Sequence, residues 1–499
     1  MSEIDRRDFC LGLGALSAAH KRLGRSLFQQ ALPPKLKNVL LIMTDQHTPH
    51  ALGVRGDPVA KTPHLDDLAR AGVRFEHAYC ADPICVPSRA SLLTGLYPHN
   101  HMAYDNTRPW PFEHKTIAHA FGQAGYMTGL IGKMHFVDAQ THGFDYKLDF
   151  NDWYQYLGPK TRLRAEEIVD PNSGSGLPQI DDLWRDRGDP WTGVIENDNR
   201  QGLVAVGHIS PLAEEDHFES FVARESVRFL NNHGKQPFFL TCSFLKPHDP
   251  FMPAERFAKM FHAADMTLPA TWNKVDLSTV PKFVAENIRY NSATPELADP
   301  EAAKQRLALY YAGLAQADDC IGKVLQALHD LGLEEDTVVL YTSDHGEMMG
   351  MHSLWQKNFF YEPSAGVPLI VRAPGVAPEN AVCATPVSLV QVFRTLTELC
   401  GLPPWPGLDG ASFVDALRKP QESRETEVFA EINLPGPHAG YMMRKGHFKY
   451  CYYPNDMPEL YDLAADPDEM RNLALLPEYK SRAAELQARM FAWHRPAQA

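Results

Sequence analysis

Asn38-Val39-Leu40-Leu41-Ile42-Met43-Thr44-Asp45 is a short, almost wholly apolar, β-favouring run that stops at a carboxylate. A strand with apolar residues on both sides suits burial on both faces, as in a parallel sheet covered by helices. Pro63 to Ala71 then reads as a helix and Val73 to Ala78 as a strand, and Ile117 to Ala124 followed by Met127 to Ile131 repeats that order. Gln236 to Phe244 reads as a further strand. Leu307, Tyr310, Leu314, Ile321, Leu325 and Leu328 recur at helical spacing before the buried strand Thr337 to Thr342. Such alternation predicts an α/β architecture. After about residue 380 the pattern changes to helices at Leu389 to Leu399 and Ser481 to Trp493, with short aromatic strands at Tyr441 to Met443 and Phe448 to Tyr453. We read residues 36–380 as one large domain and 381–499 as a smaller α+β domain. Residues 150 to 215, rich in Asp, Pro, Gly and Trp, read as an insertion outside the core.

The 499 residues carry a formal net charge of −14, which argues against nucleic acid as a partner, because a phosphate backbone is bound through surplus Lys and Arg. An anionic substrate would have to meet a local cluster of cations. No stretch reaches the roughly 18 consecutive apolar residues of a membrane span. Arg6-Arg7-Asp8-Phe9 and the small, apolar run Cys10 to Ala19 have the form of a twin-arginine export signal, so residues 1–30 read as a leader and the protein as periplasmic or secreted; the other reading is a short N-terminal helix. The eight cysteines form no CxxC pair and leave the redox compartment open.

Three clusters carry chemistry. The first is Cys85-Val86-Pro87-Ser88-Arg89-Ala90-Ser91-Leu92-Leu93-Thr94-Gly95. Pro87 and Ser88 suit the first turn of a helix, which puts Cys85 at an N-terminus whose free N–H groups favour an anion. The lesser readings of Cys85 are an inert core thiol and an unmodified thiolate nucleophile with its pKa lowered by the same helix end. The second cluster is Asp45-Gln46 and Asp344-His345, each at the end of a strand, where ligands of open α/β sheets gather. Taken singly, such an Asp is more often a turn or helix cap. The third is a set of cation sites, Gly132-Lys133-Met134-His135-Phe136, Lys246-Pro247-His248-Asp249-Pro250 and Leu354-Trp355-Gln356-Lys357.

The C-x-P-S-R core with its trailing L-T-G resembles the signature of type I, formylglycine-dependent sulfatases. Further similarity runs through Lys61-Thr62-Pro63-His64-Leu65-Asp66, Pro368-Leu369-Ile370-Val371 and Glu459-Leu460-Tyr461-Asp462-Leu463, covering about residues 36 to 475. The resemblance implies an alkaline-phosphatase-like fold, a mixed sheet between helices with a small C-terminal domain. It implies that Cys85 is oxidised by a formylglycine-generating maturation enzyme to 3-oxoalanine, whose hydrate attacks the sulfur of a small-molecule or carbohydrate sulfate ester. It implies a divalent metal held by Asp45, Gln46, residue 85, Asp344 and His345, with calcium expected first and magnesium or manganese as alternatives. Family members often carry Asp at the Gln46 position and Asn at the His345 position. By the same resemblance Arg89 orients the formylglycine, Lys133 and Lys357 neutralise sulfate oxygens, His135 is a base and His248 assists the leaving oxygen. Ala103-Tyr104-Asp105-Asn106 and Gly132 to Asp138 look most like choline sulfatases, which makes Asn106 a candidate substrate contact. Two rivals stand beside this reading: a phosphonate monoester or phosphodiester hydrolase of the same superfamily, and a non-catalytic binding homologue. A serine hydrolase has no support, since there is no G-x-S-x-G elbow.

Overall fold

The computed structural model describes residues 36–106, 110, 114–136, 140–161, 207–210 and 212–495. The expected leader and most of the expected insertion fall outside the described residues. In chain order the principal elements are β1 (Asn38–Asp45), α1 (Pro63–Arg70), β2 (Val73–Tyr79), α2 (Cys85–Thr94), α3 (Ile117–Gln123), β3 (Met127–Gly132), β4 (Tyr146–Leu148), α4 (Phe218–His233), β5 (Phe238–Pro247), α5 (Pro300–Asp330), β6 (Thr337–Ser343), β7 (Gly366–Arg372), β8 (Ala381–Cys383), β9 (Val387–Ser388) and α6 (Val392–Leu399). Beyond them lie β10 (Glu427–Ile432), β11 (Gly440–Lys445), β12 (Phe448–Tyr452), β13 (Glu459–Asp462) and α7 (Lys480–Trp493).

The large sheet has the order β4-β3-β5-β1-β6-β7-β2-β8, with β9 also paired to β2. Only β7 runs against the rest: it is antiparallel to both β6 and β2, and every other pair is parallel. All eight residues of β1 are buried, and their alternation explains the layers. Val39, Leu41 and Met43 pack with Leu92 and Leu93 of α2, Phe121 of α3 and Phe393 of α6. Leu40 and Ile42 face the other way, onto Leu65 and Leu68 of α1, Phe229 of α4 and Ile321 and Val324 of α5. Each such side chain contributes about 1.5–3 kcal/mol on burial, so the double-sided strand accounts for its own central position. Helix α5 starts where Asp299 accepts from Ala302 N and Pro300 supplies a residue needing no N–H partner.

Strands β10 to β13 form a separate antiparallel meander, onto which α7 lays Leu486 and Met490 against Tyr441, Met443, Tyr450 and Leu460. Two departures from the sequence reading have physical causes. Strands β8 and β9 belong to the large sheet and α6 to its core, so the second sheet begins at Glu427, later than residue 381. Phe150–Thr161 is helical, and Phe150 stacks on Phe218 with ring centroids 4.1 Å apart, so the start of the presumed insertion is part of the core. Buried polar groups join the two sheets. Lys449 donates to Phe360 O at 2.7 Å and Glu362 Oε1 at 2.9 Å. Glu459 accepts from the hydroxyls of Tyr361, Tyr453 and Tyr461 at 2.8–2.9 Å. Among the described residues every cysteine is a free thiol, and no helix is long and apolar enough to cross a membrane.

Candidate active site

Strands β1 and β6 pair in parallel with Thr44 opposite Ser343, so Asp45 and Asp344 leave the sheet side by side. Strands β3 and β5 end at the same edge and deliver Lys133 and His248. Because β7 alone is reversed, β2 also ends at this edge, and the short turn after it delivers Cys85 as the first residue of α2. The geometry is that of ligand sites at the carboxyl ends of open α/β sheets. Gly132 is required there: its φ is +112°, and a Cβ would lie 1.9 Å from Ser243 O. With no side chain in the way, Lys133 N donates to Ser243 O at 2.9 Å.

Cys85 is fully buried. Its Sγ lies 3.3 Å from His345 Nε2, 3.6 Å from Lys357 Nζ, 3.8 Å from Lys133 Nζ and 3.9 Å from Asp45 Oδ1. Burial and Asp45 push the thiol up, but Lys133, Lys357 and His345 together outweigh them and hold it well below the usual thiol range. Asn106 Oδ1 accepts from Val86 N at 3.0 Å, so this candidate substrate contact caps the nucleophile's own helix. Arg89, also fully buried, binds Asp344 Oδ2 at 2.8 Å through Nε and Asp45 Oδ2 at 2.9 Å through Nη2, and it donates from Nη1 to Ser243 Oγ at 2.9 Å and to Lys133 O. Lys133 Nζ reaches Asp45 Oδ2 at 2.5 Å. His135 has φ +59°, and its Nδ1 makes no hydrogen bond among the described residues. Burial and then Lys133 hold its imidazole well below the ordinary range, so it is neutral at physiological pH.

Asp45, Cys85, Asp344 and His345 each offer one ligand atom, all within 4.8 Å of one another. His345 Nδ1–H donates to Gly346 O at 2.9 Å, which turns Nε2 toward Cys85 Sγ and toward Asp45 Oδ1 and Asp344 Oδ1, each at 3.7 Å. Burial pushes Asp344 up against the opposing pull of Arg89, and the charge of Asp45 adds to the rise. A divalent cation would relieve that repulsion, so this donor set fits one. The Gln46 side chain is engaged elsewhere: Oε1 accepts from Lys357 Nζ at 2.7 Å, and Nε2 donates to Asp249 Oδ1 at 2.9 Å and Glu347 Oε2 at 2.5 Å. Lys357 Nζ also lies 2.6 Å from His248 Nε2. Glu347 and Arg306 were not singled out from the sequence. The Arg306 guanidinium sits between the rings of Phe251 and Trp355, 4.8 and 4.7 Å from their centroids, and its charge reaches Glu347 and Asp249. Arg306 lies on α5 and Glu347 in the loop after β6, and they meet only in three dimensions, so no local pattern marks them.

The sulfatase family model matches residues 37–402. The chain belongs to the sulfatase family. A second model, for the C-terminal region of N-sulphoglucosamine sulphohydrolase, matches residues 350–495, which include the small sheet. Among relatives of this sulfatase, a choline-sulfatase of Rhizobium meliloti is 30% identical over 90% of this chain and 85% of its own. An arylsulfatase of Clostridium perfringens is 30% identical over 89% of this chain and 92% of its own. Among solved structures, a phosphonate monoester hydrolase of Agrobacterium radiobacter superposes with a TM-score of 0.74 at 26% identity, over 92% of this chain and 95% of its own. The chain is thus a sulfatase-family enzyme with an alkaline-phosphatase-like mixed sheet and a smaller C-terminal domain. The family implies a metal ion and a formylglycine, which the Asp45, Cys85, Asp344 and His345 cluster fits.

Proposed function

We propose that this enzyme hydrolyses sulfate monoesters, and that Cys85 is the residue matured to formylglycine. The observation that carries the reading is Cys85 at the head of a helix, with two lysine ammonium groups within 3.8 Å of Sγ and four candidate ligand atoms converging beside it. As its hydrate the formylglycine supplies a hydroxyl nucleophile. A divalent ion held by Asp45, Asp344, His345 and residue 85 supplies Lewis-acid stabilisation of charge on the sulfuryl oxygens, with calcium the first choice for oxygen donors and manganese or magnesium the alternatives that the imidazole leaves open.

The chain's own side chains divide the remaining work. Lys133 and Lys357 neutralise the sulfuryl oxygens in a largely buried site, where charge–charge contacts are stronger than in water. Arg89 holds the two carboxylates apart and aligned. Neutral His135 takes a proton from residue 85. His248 Nε2, beside the Lys357 ammonium, passes a proton to the departing ester oxygen. Asn106 keeps the nucleophile's helix capped. Arg6 and Arg7 support export through a twin-arginine signal, and a small sulfated molecule or carbohydrate is the substrate class.

A second reading has a specific observation in its favour: Gln46 and His345 stand where many sulfatases carry Asp and Asn, and the Agrobacterium phosphonate monoester hydrolase shares the fold. A sulfate monoester and a phosphodiester both carry one negative charge, so charge does not separate them; the second organic group of the diester does. Comparison of kcat/KM on nitrophenyl sulfate, nitrophenyl phosphonate and bis-nitrophenyl phosphate tests the choice. A tenfold advantage for either phosphorus ester, about 1.4 kcal/mol of transition-state stabilisation, would replace the sulfatase reading by the second one.

A further inference from the structure

Away from the sheet edge, His99, Glu431 and His494 bring one ligand atom each to within 4.8 Å of one another. They come from three distant parts of the chain: the turn after α2, strand β10, and the residue that follows α7. Glu431 is fully buried, and His99 grips its carboxylate twice, through its backbone N at 2.9 Å to Oε2 and through Nδ1 at 2.7 Å to Oε1. The His99 and His494 rings lie face to face with centroids 3.9 Å apart, and Trp493 closes one side, 5.3 Å from His99. A second buried carboxyl lies close by. Asp82 is fully buried with neither side-chain oxygen hydrogen-bonded, next to Ala81, whose carbonyl accepts from Glu431 N at 2.8 Å.

We propose that His99, Glu431 and His494 form a second metal site, suited to a zinc-like transition-metal ion, that fastens the end of α7 to the body carrying Cys85. Two imidazoles and one carboxylate are a ligand set that zinc takes, with a fourth position left to water. Bonds of about 2.0–2.1 Å put tetrahedral ligand atoms roughly 3.4 Å apart, so closure asks the ligand atoms to draw together and the His494 ring to turn out of its stack on His99 until its in-plane lone pair meets the ion. His494 can supply it, because it is only partly buried and follows the helix rather than lying within it. The catalytic cluster differs in having two carboxylates and one imidazole, so hard and borderline ions sort between the two sites.

The test uses the full-length enzyme, stripped with a chelator, resupplied with calcium and then titrated with Co²⁺ and, separately, Zn²⁺. The wild type should take up one equivalent of Co²⁺ with the intense visible absorption of a four-coordinate ion, and Zn²⁺ should displace it and raise the melting temperature. His494→Ala should lose that equivalent, its absorption and the zinc-dependent rise, while Asp344→Asn keeps all three. Equal Co²⁺ binding and equal zinc response in wild type and His494→Ala would overturn the site. Glu431→Gln should behave as His494→Ala does; where it fails to fold, His494→Ala decides alone, since its side chain is partly exposed.

Discussion

The Lys357 ammonium lies 2.6 Å from His248 Nε2 and 3.6 Å from Cys85 Sγ, so one cation stands beside both the nucleophile and the group placed to protonate the leaving oxygen. His248 Nδ1–H donates to Asp249 O, so Nε2 is the ring nitrogen that faces the site. Removing Lys357 should therefore slow every substrate, by about 10²–10³ in kcat, the usual effect of deleting one preorganised charge-stabilising donor. Removing His248 should penalise poor leaving groups far more than good ones. A series of aryl sulfates of graded leaving-group pKa, assayed with Lys357→Met and His248→Ala, checks this: parallel lines for Lys357→Met and a steeper slope for His248→Ala are expected. The double variant should lose less than the product of the single effects, since the two groups touch.

Cys85→Ala should abolish turnover and leave the circular dichroism unchanged, because the small side chain fits the buried site and α2 keeps its Asn106 cap. Mass spectrometry of the peptide containing residue 85 from active enzyme should show formylglycine. Thiol alone at that position in fully active protein would disprove the maturation.

Chelation should remove activity, and calcium, magnesium or manganese should restore it. Asp344→Asn should reproduce the loss, because it takes away a ligand charge and one of the two carboxylates that Arg89 bridges. The same variant leaves a fully buried guanidinium half-paired, so its stability should fall by about 3–5 kcal/mol, read as an earlier denaturation midpoint. Full activity in rigorously metal-free enzyme would exclude the metal.

Asp318, on α5, accepts from His64 N at 3.1 Å and Leu65 N at 2.9 Å in the first turn of α1, and burial pushes its carboxyl up to about 7. A carboxyl raised in the folded state favours folding when protonated. Its contribution is thus complete below the ordinary value of 3.8, falls as pH rises, and is lost above about 7. Thermal melts from pH 4 to 8 should show this decline, worth a few kcal/mol at about 1.4 kcal/mol per pH unit. Asp318→Asn, which retains one acceptor for α1, should flatten it. An unchanged slope in the variant would refute the assignment.

Much of this fold is legible in the sequence because β1 and β6 are apolar on both faces and end in acids, so the run and the ligand arrive together. The reversal of β7 is not legible, since Val367 to Val371 reads the same in either direction. Nor are β8 and β9, whose three and two residues are too few to show a period. At the site, motif residues such as Lys133 and Lys357 stand out, whereas the contacts of Gln46 with Asp249 and Glu347 do not, because their partners lie some 200 and 300 positions away. The cap that Asn106 places on Val86 was equally hidden, since a loop side chain reveals its partner only after folding.

Cys85 has no exposed surface, and every residue from it to Thr94 is buried beneath the same layer of helices. A modifying enzyme must bind the peptide on both sides of its target, and the finished protein offers it no grip. On the proposed chemistry, oxidation of residue 85 has to come before α2 docks on the sheet. The ligands that close over it, Asp344 and His345, lie some 260 residues further along the chain. Synthesis thus leaves an interval in which the thiol is made and its lid is not, and the rate at which β6 arrives sets how long modification has to finish.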